Sequence, residues 1–378
     1  MEACFKDEDP YPDSKLFTFL WTVLSIFCGF SMDLNYNEIL FAIPCIIVNL
    51  FHLMFLTRKS MRTSPIYIIM AAVAVLDIGS LMYDVQFETV NVIKMFNTCF
   101  SKEADYIFIW IDSFMECLRN FTRRCSTWLS FSITLIRTLV IQNPLNPKFD
   151  ILSKQIFALY TIIGVMVFCS PIHILDVFKY EINLEHPNRK CKKYLETGVR
   201  FYDRSYSPLF LKNPRVFKAY GLVDALVSKI IPCIIYPIIT FLLIRAIKRA
   251  EKQRSKMSSS SNSNNSKSTS NLVLALSMTF FLAELPLGIL FILTPILYSN
   301  RETTKNYKMG LYDLVPSFEE FFSVILTVTT ATHMIICLFM SAQYRETALS
   351  LLRCRYVLKA RQSGGGQASR TVTIASRI

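Results

Sequence analysis

Catalytic signatures are missing from this sequence. It has no glycine-rich phosphate loop, no nucleophile elbow and no cysteine–histidine spacing that suits zinc. P-loop phosphoryl transfer, α/β-hydrolase chemistry and a structural metal box are thereby left without a carrier, so neither an enzyme nor a cofactor is expected. The four histidines, His52, His173, His186 and His333, are scattered singly and read as packed or solvated side chains. Glycine is scarce, 10 in 378 residues. Charge is scarce as well: 18% of residues are Asp, Glu, Lys or Arg, against about 25% in an ordinary soluble domain. The deficit falls in long apolar blocks, which excludes a soluble globular class. The opening MEACFKDEDPYPDSK is acidic and lacks the positive start of a signal peptide.

What fills the chain is apolar sequence: 52% hydrophobic and 13% aromatic residues, with mean hydropathy +0.36. Lipid leaves such blocks one option besides a closed barrel, because each must satisfy its backbone polar groups within its own helix. The expected class is an all-α membrane protein, a seven-transmembrane helix bundle with spans near 39–56, 65–83, 106–141, 155–178, 220–247, 271–298 and 317–340. Residues 1–38 form an N-terminal segment whose apolar part, 16–31, is short for a span. It reads as an outer amphipathic helix or an extension of the first span, with a cleaved leader as the alternative. Residues 248–270 contain SKMSSSSNSNNSKSTS, a polar low-complexity run with nothing to pack into a core. In the tail 341–378, Ala348, Leu349, Leu352 and Tyr356 recur at helical spacing among Arg and Lys. This suits a short amphipathic eighth helix on an anionic leaflet, with Cys354 as a palmitoylation candidate.

The net charge of +13 would fit nucleic acid, but its distribution fits a bilayer instead. Lys and Arg are shared almost evenly between the two sides, so orientation rests on the first turnaround, where Arg58, Lys59 and Arg62 crowd the far end of the first span. The N-terminus is then outside and the tail in the cytoplasm. Of eleven cysteines, most lie in apolar stretches as small core residues. Cys99, before the third span, and Cys191, in the long outer loop, are expected to bridge, with free or otherwise paired thiols as the alternative.

The third span carries the chain's most informative pattern. Arg119, Arg123 and Arg124 sit at mid-span and Arg137 near the far end. An arginine at that depth costs about 2.5–3.5 kcal/mol on insertion scales, which makes each a functional candidate. At about 100° per residue, Asp112, Glu116, Arg119, Arg123 and Arg137 fall within roughly 60° of one helix face. That face must look toward other helices or a wet cavity.

Five strings, TRKSMRTS (57–64), RRCSTWL (123–129), IRTLVIQNPL (136–145), AELPLGI (283–289) and MSAQYR (340–345), occur in an order and spacing that resemble the rhodopsin-like G-protein-coupled receptors. The local wording is similar to the class-W serpentine receptors of nematodes, relatives of FMRFamide-type neuropeptide receptors. The resemblance implies a plasma-membrane receptor for a short, amidated neuropeptide, working through a heterotrimeric G protein. Carried over by position, it assigns Asn49 and Asp77 to the polar network of the first two spans, Arg137 to G-protein coupling and Pro286 to the kink of the sixth span. It also exposes departures: Ile136 and Thr138 flank Arg137 in place of an acid and an aromatic, Glu284 stands where a tryptophan is usual, and His333-Met334 replaces the seventh-span Asn/Asp-Pro.

Glu319 and Glu320, at the outer start of the seventh span, would rim a cup with Asp112 and Glu116, its floor holding Arg119, Arg123 and Glu284. Glu284 is the expected partner of Arg119 or Arg123, and Glu116 could equally pair with Arg119 three residues on. Such a cup suits a peptide; a small-molecule chemosensory ligand would more often meet a drier pocket. A transporter is less favoured because no internal repeat is evident, and a non-signalling binding protein remains the last reading. The terminal Ser376-Arg377-Ile378 has the shape of a PDZ ligand.

Overall fold

In a computed structural model, the chain is described at residues 15–96, 100–143, 146–187, 200–257, 278, 281, 282, 284–293 and 309–351. Helices α1 (Lys15–Tyr36), α2 (Glu38–Leu56), α3 (Pro65–Phe96), α4 (Lys102–Gln142) and α5 (Gln155–Val177) lead to a hairpin of β1 (Tyr180–Pro187) and β2 (Arg200–Tyr206). Then come α6 (Pro214–Ala225), a π turn (Leu226–Ile230), α7 (Ile231–Met257), α8 (Glu284–Leu293), α9 (Met309–Met340) and α10 (342–351). The strands pair antiparallel from Tyr180 opposite Tyr206, with a bulge at Leu184/His186.

Five of the described helical stretches are long and apolar enough to cross a membrane: Glu38–Leu56, Pro65–Phe96, Gln155–Val177, Arg215–Arg249 and Val315–Phe339. The central helix α4 fails that composition test through its own charges, and α8 is a shorter apolar helix at the sixth position. The stretches leave apolar stripes uncovered. On α2, Leu40, Ile43, Ile47, Leu50, Phe51 and Met54 are exposed at helical spacing, a face that only lipid can cover.

Ser101 caps α4 by accepting a hydrogen bond from the Ala104 N–H at 3.2 Å, and Glu103 and Asp105 in the first turn favour the positive end of the helix dipole. With 41 residues, α4 is about 60 Å long at 1.5 Å per residue, twice a hydrocarbon core. It packs against α3, α5, α7 and both strands, and is the axis of the bundle. Helix α3 continues to Phe96, well past its apolar stretch 65–83. Helix α1 lies along α9, with Phe27 against Phe318 and Phe321, and only Asn37 separates it from α2. Cys28 of α1 is disulfide-bonded. Cys99, Cys191, Cys354 and Ser376–Ile378 lie outside the described residues.

The two ends of the bundle differ in kind. The apolar core gathers at the end that carries the short turn 57–64, where Phe55, Leu56, Met61, Ile69, Leu129 and Tyr344 are buried together. Tyr344 anchors α10 there: its hydroxyl meets His52 Nδ1 at 2.7 Å, and its ring packs edge-on against Phe55. Gln343 Nε2 donates to the Ser60 carbonyl at 2.8 Å, so α10 also grips the turn. Tyr344→Phe is expected to destabilise by about 1 kcal/mol, one buried hydrogen bond. A lowered midpoint in a thermal shift assay on the purified protein checks this, and an unchanged midpoint contradicts it.

Candidate functional site

The polar half of the bundle lies at the hairpin end. There a cavity of about 1040 Å³ opens between α2, α3, α4, α6, the π turn, α8 and α9, with Tyr206 of β2 also in its wall. Glu116, Arg119, Arg123 and Glu319 line it. Asp112 does not, and Glu284 lies beyond the cavity lining, behind Lys229.

Arg119 and Arg123 have each found company on a neighbouring helix. Arg119 Nη1 reaches Asp84 of α3 at 3.2 Å, and its guanidinium stacks 4.1 Å above the Tyr83 ring. Among the described residues Arg123 donates to hydroxyls, Ser323 Oγ at 3.3 Å and Thr327 Oγ1 at 3.2 Å on α9. Thr327 in turn donates to Glu38 Oε1 at 3.0 Å, which ties the start of α2 into the floor. Both contacts of Arg123 are long for a guanidinium, whose charge-assisted bonds run near 2.7–2.9 Å.

Two expected pairings are corrected. Glu284 binds neither Arg119 nor Arg123; its Oε2 lies 2.5 Å from Lys229 Nζ, and its Oε1 accepts from Thr127 at 3.2 Å. Glu116 does not hold Arg119 along the helix but Arg204 of β2, at 2.5 Å, with Asp112 at 3.5 Å from the same Nη1. For Glu116, a long side chain turned off its own helix reaches a partner on a neighbouring element with better geometry than an i,i+3 neighbour offers; for Glu284, the π turn sets Lys229 beside it.

Arg204 also stacks on Tyr180, 4.3 Å from the ring centre, so the hairpin is fastened to α4. Burial works against the charge of Arg204, yet Glu116, Tyr180 and Asp112 together hold its proton more tightly than usual. The Tyr180 hydroxyl is pushed up to about 12, first by burial and then by the charge of Glu116.

Arg124, one residue off the charged face, builds a second cluster. Its side chain is 2% exposed, with Nη2 at 3.1 Å from Asp176 of α5 and 2.8 Å from Asp224 of α6, and Nε at 2.8 Å from Ser228. Tyr220 donates to the other oxygen of Asp176. Sequence reasoning did not assign Glu38, Asp84, Asp176, Asp224 or Lys229. The signal was present, since each is an isolated charge in or beside an apolar stretch, which the membrane-depth rule flags as readily as the arginines. Asp224 and Lys229 would stand about 140° apart on a regular helix. The π turn, with its i→i+5 bonding, brings both to the cavity.

The residues assigned by resemblance lie deeper. Asn49 Nδ2 donates to Thr330 Oγ1 at 3.3 Å and to the Cys45 carbonyl. Asp77 accepts from Ser126 at 2.6 Å. Pro286 lies on α8, and residues 281 and 282 before it are helical as well. Arg137 is five residues from the end of α4, far from the cavity, and its Nε has no hydrogen-bond partner among the described residues. His333 lies on α9 in the half toward the apolar core, one residue before Met334, which packs against that core.

A sequence model of the family described as serpentine type 7TM GPCR chemoreceptor Srw matches residues 36–355 of the chain. The chain is also similar to G-protein coupled receptor dmsr-1 of Caenorhabditis elegans, 23% identical over 234 residues. That match covers 59% of this chain and 44% of the relative, less than half of its length.

Proposed function

The chain belongs to the Srw family of serpentine seven-transmembrane G-protein-coupled chemoreceptors, and from that premise we propose that it is a plasma-membrane receptor for a short extracellular peptide. The N-terminus and hairpin end face outward and the α10 end faces the cytoplasm. The observation that carries the ligand reading is the cavity itself: at about 1040 Å³ it sits at the upper bound for small-molecule sites, and charged side chains of both signs line it. A peptide supplies backbone donors and acceptors for such walls along its length. The resemblance to FMRFamide-type receptors adds that the peptide is amidated.

Arg123 is the contact we assign to a ligand acceptor group, because among the described residues hydroxyls serve its guanidinium. Glu116, Arg119 and Glu319 line the same space, Asp112 acts from the rim through Arg204, and Glu284 acts from behind Lys229. The mechanism is a population shift. A ligand that prefers one arrangement of the bundle a hundredfold moves the equilibrium by about 2.7 kcal/mol. Movement of α8 about Pro286 then uncovers Arg137 for a heterotrimeric G protein. Asn49, Asp77 and His333 belong to the packed polar layer between the two sites.

The family's own description as chemoreceptors favours a second reading, a small sensory molecule in the same cavity. A screen of amidated neuropeptides on cells expressing the chain, read by second messengers, separates the two. A peptide response at nanomolar to micromolar concentration supports the first; silence to the panel with a response to small odorants supports the second. Arg123→Gln is expected to weaken the active peptide about tenfold to a hundredfold, one charged hydrogen bond. Unchanged potency would remove Arg123 from the contact surface. Epitope tags at the two chain ends, probed on intact and permeabilised cells, check the orientation: both tags on one face would sink it.

A further inference from the structure

The ion pair between Lys229 and Glu284 joins the cavity to the span that the proposed mechanism sets in motion. Nζ and Oε2 are 2.5 Å apart, and the two side chains are 8% and 3% exposed. Both partners are thus largely shielded, and the attraction acts at a lower dielectric than at the surface. Thr127 of α4 donates to the second carboxylate oxygen at 3.2 Å, so three elements meet at Glu284.

The two ends of the pair are anchored unequally. Lys229 belongs to the π turn, which leaves the backbone ladder locally out of register. Trp128 of α4 donates its indole N–H to the Val227 carbonyl at 3.1 Å, and Arg124 donates to Ser228 at 2.8 Å. The turn is thus pinned to the central helix on both sides of Val227 and Ser228. Glu284 lies on α8 two residues before Pro286; residues 281 and 282 before it are helical as well, so the proline removes a donor from the hydrogen-bond ladder. One turn further on, Gly288 approaches the π turn so closely that an added Cβ would lie 2.9 Å from the Lys229 Cβ and 3.1 Å from Ile230 Cδ1. Gly288 adds no side chain to this contact, which the Lys229 and Ile230 side chains make from the turn. Lys229 itself lines the cavity, within reach of whatever fills it.

We infer that Lys229 is a positioning residue which, through Glu284, holds α8 against the π turn in the non-signalling arrangement. This rests on the proposal that α8 moves on activation. Breaking the pair frees the element that carries the hinge, while Lys229 stays where α4 fixes it.

The test uses the full-length receptor reconstituted in lipid nanodiscs. Agonist-independent nucleotide exchange is read on a panel of heterotrimeric G proteins, and amide hydrogen exchange is read across 284–293. Glu284→Gln and Lys229→Met are expected to raise basal nucleotide exchange at least about fivefold, the low end of ordinary coupling between sites, and to speed amide exchange in 284–293. The reciprocal variant Lys229→Glu with Glu284→Lys is expected to bring both readouts back toward the parent, which a residue needed only for packing would not do. Single variants leave a buried charge unpaired and can fail to fold, so the neutral pair Lys229→Met with Glu284→Leu is measured beside them. If that pair reaches the surface at parental abundance with parental basal activity and parental amide exchange, the inference is overturned. Faster amide exchange in α8 with no nucleotide exchange in any variant would support the restraint and refute the coupling to G proteins.

Discussion

Arg137→Ala is expected to abolish G-protein activation, a loss of a hundredfold or more, while ligand affinity stays within about twofold. A guanidinium that docks onto a partner with two or more charge-assisted bonds contributes about 1.5–3 kcal/mol through each, and a hundredfold loss corresponds to about 2.8 kcal/mol. Arg137 is placed to make such bonds. It lies near the α10 end of the central helix, flanked by the buried Ile136 and Thr138, with no ion pair to any described residue. Thr138 uses its hydroxyl on the Thr134 carbonyl at 2.8 Å, so it offers Arg137 no restraint. Nearby, the Tyr67 hydroxyl is engaged with Ser341 at 2.9 Å. Fourteen residues of helix separate Arg137 from Arg123, about 21 Å at 1.5 Å per residue, which is why binding should be spared. Radioligand binding and second-messenger output on the same cells check the split. Undiminished signalling would take coupling away from this residue.

The second large effect belongs to Arg124. Arg124→Met is expected to remove most receptor from the cell surface, because Asp176 and Asp224 would be left facing each other without their cation. Removing one partner of a buried pair costs about 3–5 kcal/mol, a large share of the roughly 5–15 kcal/mol that keeps a protein folded. Lysine should rescue only partly, since a single ammonium cannot serve two carboxylates and the Ser228 hydroxyl with the fixed fork of a guanidinium. Arg124→Met combined with Asp176→Asn and Asp224→Asn should recover abundance by removing the stranded charges. Surface labelling by flow cytometry and a thermal midpoint in detergent read the outcome. Parental abundance for the single variant would show that the cluster contributes little to stability. The two predictions separate two kinds of arginine on one helix: Arg124 meets two carboxylates and a hydroxyl, whereas Arg137 has no ion pair to a described residue.

Much of the site was legible from residue order. Helical periodicity put Glu116, Arg119 and Arg123 on one face, and all three line the cavity. It put Asp112 on that face as well, but Asp112 sits above the lining and turns to Arg204. The partners were another matter. Glu284 was expected to neutralise an arginine of the third span, and it took Lys229 instead. That outcome depends on five residues, Leu226–Ile230, adopting i→i+5 bonding. Such a turn leaves no mark in hydropathy or composition. Glu38 escaped notice for a different reason. It stands at the first residue of α2, where an acid reads as an ordinary helix start, although it accepts from Thr327 far along the chain. Cys28 in its apolar setting read as core and is buried, though its disulfide was not legible.

Sequence alone determined what the bilayer enforces locally. Apolar runs must become helices because lipid offers their backbones no other partner, and a helix bearing four arginines must turn them away from lipid. Which acid meets which base was decided only in three dimensions. A pair such as Arg123 with Thr327, 204 positions apart, depends on the rotation and register of two separate helices. Those are set by side-chain packing across the whole bundle, and a turn of a few tens of degrees in either helix would choose a different partner.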